Sequence, residues 1–380
     1  MQRTKIIHII GSLTKGGAER FVVDLCNELA KEGRNEVYLV SICKDNPKDN
    51  FINDIHSDVQ FISFNKERGF SLSVFLKLTR WLKNERPDIV HSHLNGFEYL
   101  TLYLLQTSNT RFFHTIHSNA EFECPNYIIK TFRKIFFRTN KVCPITISED
   151  GSKTFRSYYH LSNDILIENG RPDILPTIEY NHLVKKYRSN TDSFLLLHVG
   201  SITAPKNQEL LIKAVLEFNA REEKKCRLLI IGEVKDTIIY EHLIQIVNNN
   251  DYIEFLGGKH NVVDYLNIAD AFCLSSSFEG MPISLIEALS VGCIPICTPV
   301  GGITQMISHG KTGFLSKDGS VQNYYEAIKE ALYFNDPESI KLNSMLSFKS
   351  KYTIKRSARN YSETYLNMLA TERTVVAAIR

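Results

Sequence analysis

The chain lacks the features that mark several large classes of protein. No stretch of about 18 consecutive apolar residues occurs, so the sequence predicts no transmembrane helix. The apolar run before Gly11 is too short for the core of a signal peptide. The eight cysteines include no C-x-x-C pair, which favours free thiols over disulfides or a zinc site. These absences together predict a cytosolic protein that touches a membrane, if at all, from outside.

An excess of charge of one sign is also missing. Lysine and arginine number 45 against 42 aspartates and glutamates, a formal net charge of +3. This balance does not indicate nucleic-acid binding, and any electrostatic partner must meet a local patch. At 380 residues the chain exceeds a typical single core, so we expect two domains.

Three ligand-binding motifs are absent as well. The glycine-rich loop from Gly11 to Gly17 is neither G-x-G-x-x-G nor a Walker loop, which disfavours a tandem NAD dehydrogenase. No Asp-x-Asp pair is present to bridge a metal ion to a diphosphate. His91 and His93 share one face of a strand but lack further ligands, so no metal site and no cofactor are predicted. His91, His93 and His114 are interpreted as structural.

Short β-branched runs alternate with helical patterns along the whole chain. This alternation predicts two Rossmann-like, doubly wound α/β domains with parallel sheets. We expect an N-terminal domain over 1–172, a linker over 173–192, a C-terminal domain over 193–350 and a final helical segment over 351–380 that packs back on the first domain. Ligands of such sheets bind beyond the carboxyl ends of the strands, so two facing sheets would form an interdomain cleft.

Two glutamates, Glu279 and Glu287, are separated by seven residues that include a Gly-Met-Pro turn. Pro282 suits the first turn of a helix, which places Glu279 in the preceding loop and Glu287 about five residues inside. Backbone N–H groups at such a helix start favour a diphosphate or another anionic oxygen. From spacing alone, one solvated and one capping glutamate explain the pattern equally well.

This segment resembles the E-x7-E signature of the retaining glycosyltransferases of family 4, which have the GT-B fold. The following run, Gly292 to Gly302, is similar to the same family's G-x-P-V motif with its terminal Gly-Gly. Weaker matches follow in the expected order along nearly the whole chain, at 16–19, 88–93, 115–118, 168–170, 199–200 and 206–207.

The resemblance implies a nucleotide-sugar donor and transfer with retention at the sugar carbon. It implies that Glu287 accepts hydrogen bonds from the ribose hydroxyls and that Glu279 orients the transferred sugar. It also implies that Lys206 neutralises the leaving diphosphate and that His117 contacts the donor sugar. The remaining donor-binding residues implied are Gly16, Gly17, Gly280, Met281, Pro282 and Ile283.

One departure from the family pattern concerns the diphosphate. The family usually has Gly-Arg where this chain reads Gly200-Ser201, so Arg171 or Lys259 are candidates to supply the missing cation. A nucleotide-sugar 2-epimerase and a non-catalytic nucleotide-sugar-binding protein stay open as alternatives. Family prevalence favours a UDP-sugar and an acceptor, either a glycan or lipid-linked, in the assembly of bacterial surface polysaccharide.

The segment 126–141 is predicted to be an amphipathic helix. Its apolar face, expected to pack on the sheet, comprises Ile128, Ile129, Phe132, Ile135 and Phe136. Its basic face comprises Lys130, Arg133, Lys134, Arg138 and Lys141, with Phe137 among them. The basic residues are either simply solvated or dock the protein on an anionic membrane surface.

Overall fold

A computed structural model describes residues 3–46, 49–67, 69–189 and 192–379, with side chains up to residue 370. The chain forms two compact units. Unit 1 comprises Met1–Pro172 and Thr353–Arg380, and unit 2 comprises Asp173–Tyr352. Unit 1 is therefore discontinuous in sequence, because the end of the chain returns to it.

Unit 1 is built on a seven-stranded, wholly parallel sheet in the order β3-β2-β1-β4-β5-β6-β7. Its strands are β1 (Thr4–Ile10), β2 (Asn35–Cys43), β3 (Val59–Lys66), β4 (Ile89–His93), β5 (Arg111–Ile116), β6 (Val142–Thr146) and β7 (Ile165–Leu166). The central strands are buried, as expected for a sheet covered by helices on both faces.

The helices of unit 1 cover this sheet. They are α1 (Gly17–Lys31), α2 (Leu72–Glu85), α3 (Thr101–Gln106), α4 (Ala120–Glu123), α5 (Tyr127–Arg138), α6 (Glu149–Tyr159) and α15 (Ile354–Ile379), with short 3₁₀ turns at Ile52–Asp54, Leu94–Gly96 and Glu98–Leu100. The caps follow local chemistry: the side chains of Ser71, Asn126 and Ser148 accept hydrogen bonds from N–H groups in the first turns of α2, α5 and α6.

Unit 2 contains a six-stranded parallel sheet in the order β10-β9-β8-β11-β12-β13. Its strands are β8 (Phe194–Val199), β9 (Cys226–Ile231), β10 (Ile253–Gly257), β11 (Ala271–Leu274), β12 (Ile294–Cys297) and β13 (Phe314–Leu315). Its helices are α7 (Tyr180–Arg188), α8 (Gln208–Arg221), α9 (Thr237–Val247), α10 (Val262–Ile268), α11 (Ile283–Val291), α12 (Ile303–Met306), α13 (Val321–Leu332) and α14 (Pro337–Lys351), with a 3₁₀ turn at Ala204–Lys206. The predicted pair of doubly wound α/β domains is confirmed.

The strand order reverses between β1 and β4 in unit 1 and between β8 and β11 in unit 2. Adjacent crossovers leave opposite faces of the sheet at such a point, so a crevice opens beyond the carboxyl ends of these strands. The residues that follow β1, β4, β8 and β11 are therefore the best placed to bind a ligand.

The segment predicted as a linker, 173–192, is not a plain linker. It contains α7, whose Leu183 and Tyr187 are buried, and Thr177 donates two hydrogen bonds of 2.6 Å to buried Asp264. The helix buries only two side chains, so the hydrophobic periodicity of this polar segment was too weak to predict it. The segment belongs to unit 2.

The last helix, α15, packs on unit 1. Ala358, Tyr361 and Tyr365 are buried along one stripe of the helix. The Tyr365 hydroxyl lies 2.6 Å from His91 Nδ1, which ties the end of the chain to the central strand β4. Over the residues that the structure describes, α15 included, no helix is both long and apolar enough to span a bilayer.

Candidate functional site

In unit 2, the loop after β8 presents Lys206 at the carboxyl edge of the sheet. The 3₁₀ turn Ala204–Lys206 ends at Asn207, whose φ of 46° lies in the left-handed region that asparagine tolerates. Backbone hydrogen bonding holds this turn against the loop after β11: Ser277 N–H donates to the Pro205 carbonyl at 2.8 Å. The Ser275 hydroxyl donates to the Lys206 carbonyl at 3.2 Å. Two loops distant in sequence are thereby joined into one surface.

Glu279 lies in the second of these loops and is only 8% exposed. Its Oε1 accepts hydrogen bonds from Lys206 Nζ and from the Ser276 hydroxyl, each at 2.6 Å. A carboxylate at this depth needs such charged and polar partners to offset its lost hydration. The three side chains form a group that can present one cation and one carboxylate to the same ligand.

The backbone around Glu279 is held by glycine. Gly301 has φ +51°, and a Cβ there would lie 1.8 Å from the Glu279 carbonyl oxygen. Gly302 N–H donates to that same carbonyl at 3.3 Å. The first glycine of the Gly-Gly motif is therefore required by a close backbone approach and a positive φ.

The segment Gly280-Met281-Pro282-Ile283 leads directly into α11. Pro282 is the N-cap residue of this helix and not, as predicted, its first helical residue, because its ψ of 123° is extended. Glu287 is the fifth residue of α11, at the predicted depth, and is half-buried. The start of α11 faces the same edge of the sheet as Lys206 and Glu279, since it follows the loop after β11.

Ser201 occupies the position where the family has arginine. Its carbonyl accepts a hydrogen bond of 3.0 Å from buried Gln208, whose Nε2 also lies 3.2 Å from His198 Nε2. Burial lowers the pKa of His198 to about 4, so this ring is neutral and supplies no cation.

Of the two candidate replacements for the missing arginine, Arg171 is already paired with another side chain. It lies in unit 1, where its guanidinium pairs with buried Asp24. Its carbonyl accepts from Ile354 N–H at 2.8 Å, so it anchors the start of α15. Lys259 follows β10 at the carboxyl edge of the unit 2 sheet and remains the candidate.

In unit 1, the loop Gly11–Gly17 connects β1 to α1. Gly16 is the N-cap of α1 and Gly17 its first residue. A Cβ on Gly16 would lie 2.3 Å from the Glu19 carboxylate, so a larger residue there would displace this flexible side chain. The start of α1 lies at the switch point of the sheet, where a helix N-terminus favours an anionic or hydroxyl oxygen.

His117 follows β5 and contacts other histidines. Its Nε2 lies 3.0 Å from His93 Nδ1, and His93 Nε2 lies 3.0 Å from His8 Nδ1. Burial lowers the pKa of His117 to about 4, so the ring is neutral near pH 7. The His117 backbone N–H donates to Glu123 at 2.7 Å, which fixes the residue where the strand ends.

His8, His91 and His93 each offer a ring nitrogen within 4.8 Å of the others, a spacing that could hold a metal ion. However, both nitrogens of His91 are engaged, by Tyr365 at 2.6 Å and by Thr115 at 2.8 Å. The His91 and His93 rings are stacked with centroids 4.3 Å apart and do not converge on a point. Hydrogen bonding and stacking account for the arrangement of these rings, two of which, His91 and His93, were interpreted as structural from the sequence.

A buried ionic network lies beside His117 and was not predicted from the sequence. Arg133 is 2% exposed and pairs with Glu98 at 2.7 Å, and its Nη1 lies 3.8 Å from Glu123. Burial alone would raise the pKa of Glu123, but the hydrogen bond from His114 and the nearby positive charges hold it below its ordinary value. No motif marks these residues, because they come from three separate segments.

A cavity of about 540 Å³ lies within unit 1 above this network. It is bounded by the loop after β1, the loop after β4 and the start of α5. Its lining includes the aromatic rings of Phe70 and Tyr99 and the charged groups of Lys66, Glu98 and Arg133. Aromatic faces beside charged hydrogen-bonding groups suit a sugar or another polar ring.

The prediction for α5 was wrong in two respects. Arg133 and Phe137, placed on the exposed face, are buried, and Phe137 is 0% exposed. Ile128 and Ile135, placed on the packed face, are 78% and 56% exposed. The helix is turned so that Arg133 and Phe137 face the interior, and the pairing of Arg133 with Glu98 holds it in this orientation.

Comparison with known proteins agrees with this geometry. Residues 15–170 match the model of glycosyltransferase family 4, and residues 180–344 match that of glycosyl transferases group 1. The chain is 22% identical to CapH, a capsular polysaccharide biosynthesis glycosyltransferase of Staphylococcus aureus, over 89% of this chain and 95% of CapH.

Two further proteins are similar over most of the chain. An α-1,4-N-acetyl-D-galactosaminyltransferase of Campylobacter jejuni, whose name specifies an undecaprenol-linked acceptor, is 24% identical over 75% of this chain and 76% of its own. Anabaena HepE in complex with UDP-glucose superposes with a TM-score of 0.81 at 16% identity, covering 96% of this chain and 100% of HepE. With two family models matching its two halves in order, the chain belongs to the family 4 glycosyltransferases of the GT-B fold.

Proposed function

We propose that this glycosyltransferase takes its sugar from a nucleotide-sugar bound by unit 2. The observation that carries the proposal is the contact of Lys206 and Ser276 with Glu279, beside the start of α11. A cation and a helix N-terminus at one edge suit a diphosphate, and the carboxylate suits sugar hydroxyls. Lys206 would neutralise the leaving diphosphate, which is the charge that grows during transfer.

We further propose UDP as the nucleotide and retention as the stereochemical outcome. The UDP-glucose complex of HepE supports the first, and the E-x7-E spacing of Glu279 and Glu287 supports the second. Transfer would need no metal ion, because Lys206 and the N–H groups at the start of α11 provide the positive charge. CapH supports a role in bacterial surface polysaccharide assembly.

A donor screen tests this proposal directly. Thermal unfolding is measured with UDP-, GDP- and ADP-sugars, and a donor at 100 times its dissociation constant should stabilise the protein by about 2.7 kcal/mol. Transfer is then assayed with and without EDTA, and the product is examined for the configuration at the sugar carbon. An epimerised sugar nucleotide formed without acceptor would assign the epimerase activity instead, and binding without turnover would assign a binding protein.

Replacing Glu287 by alanine should weaken nucleotide-sugar binding at least tenfold. Two hydrogen bonds from ribose hydroxyls to a carboxylate would be lost, each with a net value of about 1.5–3 kcal/mol. Isothermal titration with the donor found in the screen measures the effect. Glu338→Ala is the matched control, because Glu338 is 78% exposed and pairs only locally with Lys341.

The unit 1 cavity is proposed to bind the acceptor, which we infer to be lipid-linked. The name of the Campylobacter relative supports such an acceptor. The exposed face of α5, here called the α5 patch, supports it from the structure and comprises Tyr127, Ile128, Lys134, Ile135 and Arg138. Apolar side chains interleaved with cations suit insertion at an anionic membrane surface. Because α5 also bounds the cavity, a docked bilayer would bring the acceptor's sugar to it.

The α5 patch should bind anionic vesicles and release them as salt rises. Each basic residue near such a surface contributes about 1 kcal/mol, and each inserted apolar side chain adds to it. We expect a variant with Ile128→Ser, Lys134→Gln, Ile135→Ser and Arg138→Gln to lose sedimentation with vesicles that contain phosphatidylglycerol. The wild type should ignore vesicles of phosphatidylcholine alone.

The control for this experiment carries three neutralised cations on another helix of unit 1. Lys77, Arg80 and Lys83 of α2 are exposed, and changing all three to glutamine should leave vesicle binding nearly intact. Equal losses in the two variants would show attraction by net charge alone, and the α5 patch would not be the docking surface.

A further inference from the structure

The three rings of His8, His93 and His117 form a continuous chain of hydrogen bonds through the interior of unit 1. His8 lies on β1, His93 on the neighbouring β4 and His117 just beyond β5. His8 Nδ1 lies 3.0 Å from His93 Nε2, and His93 Nδ1 lies 3.0 Å from His117 Nε2. The central ring, His93, therefore uses one of its two nitrogens toward each neighbour.

All three rings are neutral near pH 7. Burial lowers the pKa of His8 to about 3 and that of His117 to about 4, and burial with the neighbouring histidines holds that of His93 well below its ordinary value. A neutral imidazole has one N–H and one nitrogen with a lone pair. Both hydrogen bonds can form only if all three rings donate in the same direction along the chain.

Two arrangements satisfy this condition, and they differ at the two ends. Among the described residues, neither His8 Nε2 nor His117 Nδ1 has a hydrogen-bond partner. One end must therefore carry an N–H and the other a lone pair. His8 is 0% exposed on a central strand, whereas His117 is 9% exposed at the carboxyl edge of the sheet. Both terminal nitrogens are buried, and a buried N–H without an acceptor is the rarer and costlier state, so the proton belongs on His117, at the edge of the sheet where a bound ligand can supply the acceptor.

We propose that His8 and His93 are positioning residues that hold His117 with its proton on Nδ1, so that His117 donates a hydrogen bond to an oxygen of the bound substrate. The bond from the His117 backbone to Glu123 and the stacking of His91 on His93 keep the rings in register. The identity of the ligand rests on the proposed function, but the tautomer does not.

The tautomers can be read in the ligand-free protein. Long-range ¹H–¹⁵N correlation spectra of protein labelled at histidine distinguish the nitrogen that carries a proton from the one that does not, and single substitutions assign the peaks. We expect the Nδ1–H form at His8, His93 and His117, which is opposite to the form that an unconstrained histidine prefers in water. The Nε2–H form at His117 in the wild type would overturn the proposal without any variant.

His8→Asp tests the transmission along the chain, because His8 and His117 are joined only through His93. An ionised carboxylate only accepts hydrogen bonds, so aspartate in place of His8 requires His93 to donate from Nε2, and both His93 and His117 should move to the Nε2–H form. His8→Asn is the matched control, because its side-chain amide is of the same size, can still donate to His93 and should keep both rings in the Nδ1–H form. An unchanged His117 in His8→Asp, or an equal change in His8→Asn, would refute the relay.

Ligand binding supplies a second readout. His8→Asp should weaken binding or slow transfer roughly tenfold, the value of about one hydrogen bond, although His8 is fully buried. If the tautomers are as expected and no nucleotide-sugar binds, the proposed function fails and the relay stands. If a donor binds and turns over but His117 carries its proton on Nε2, the relay fails and the function stands.

Discussion

Replacing Lys206 by alanine is expected to lower sugar transfer at least tenfold while changing donor affinity much less. The reason is that the diphosphate gains negative charge as the sugar leaves, so a lost cation costs more in the transition state than in the ground state. In the ligand-free protein Lys206 contacts Glu279 at 2.6 Å, and a bound diphosphate would compete for this cation. Initial rates at saturating donor measure the change in kcat.

Lys213→Ala is the matched control for Lys206→Ala. Lys213 also pairs with a glutamate, Glu209 at 2.5 Å, but it lies exposed on α8 and away from the carboxyl edge of the sheet. Its removal should leave kcat unchanged. A loss in Lys206→Ala that appears only as a higher KM would show that the lysine binds the donor without favouring the transition state.

Lys259→Ala tests whether that residue replaces the arginine missing at Ser201. If Lys259 shares the diphosphate with Lys206, this substitution lowers kcat as well, and the double variant loses more than either single one. If kcat is unchanged, Lys206 and the start of α11 supply the positive charge by themselves.

Replacing Glu279 by alanine should also lower kcat at least tenfold, with a small effect on the dissociation constant of the donor. The carboxylate is proposed to act at the transferred sugar, so its loss affects the reacting centre more than the nucleotide. The same substitution releases Lys206 and the Ser276 hydroxyl from their contacts with Glu279 Oε1. Titration calorimetry and initial rates on the same preparation separate affinity from turnover.

Glu279→Gln refines this experiment. Glutamine keeps an oxygen for the Ser276 hydroxyl but removes the charge that holds Lys206, so a similar loss of kcat in both variants assigns the effect to charge. Glu209→Ala, at an exposed ion pair in the same unit, should be neutral. Small and equal effects of Glu279→Ala and Glu287→Ala would contradict the separate roles proposed for the two glutamates.

The two α/β domains could be predicted because each strand leaves a strong local signal. Strands such as Phe194–Val199 are buried on both faces, which makes them continuous apolar runs, and helices separate them at regular intervals. The two-residue strands were harder: β13 escaped prediction, since Phe314–Leu315 is too short to show any periodicity.

Among the proposed site residues, Glu279, Glu287 and Lys206 were predicted from the family resemblance, and the structure brings Lys206 and Glu279 into contact. What no local pattern could reveal is that Ser276 shares the same carboxylate oxygen, that Arg171 is engaged by Asp24, and that Glu123 lies beneath His117. The pairing of Arg171 with Asp24 joins segments 147 positions apart, and the other two contacts depend on how a single connection folds beyond the end of its strand.

By itself, the sequence determined the elements, their order and the residue types available for chemistry, because hydrophobic periodicity and turn residues act over short distances along the chain. Only the tertiary structure decided which face of α5 is buried and which histidines are joined by hydrogen bonds. Parallel strands place residues side by side that are far apart in sequence, as with His8 and His93, which are 85 positions apart. The orientation of α5 also depends on a contact between distant residues. Its own apolar residues allow more than one face to pack, and the pairing of Arg133 with Glu98, 35 positions away, selects the buried face.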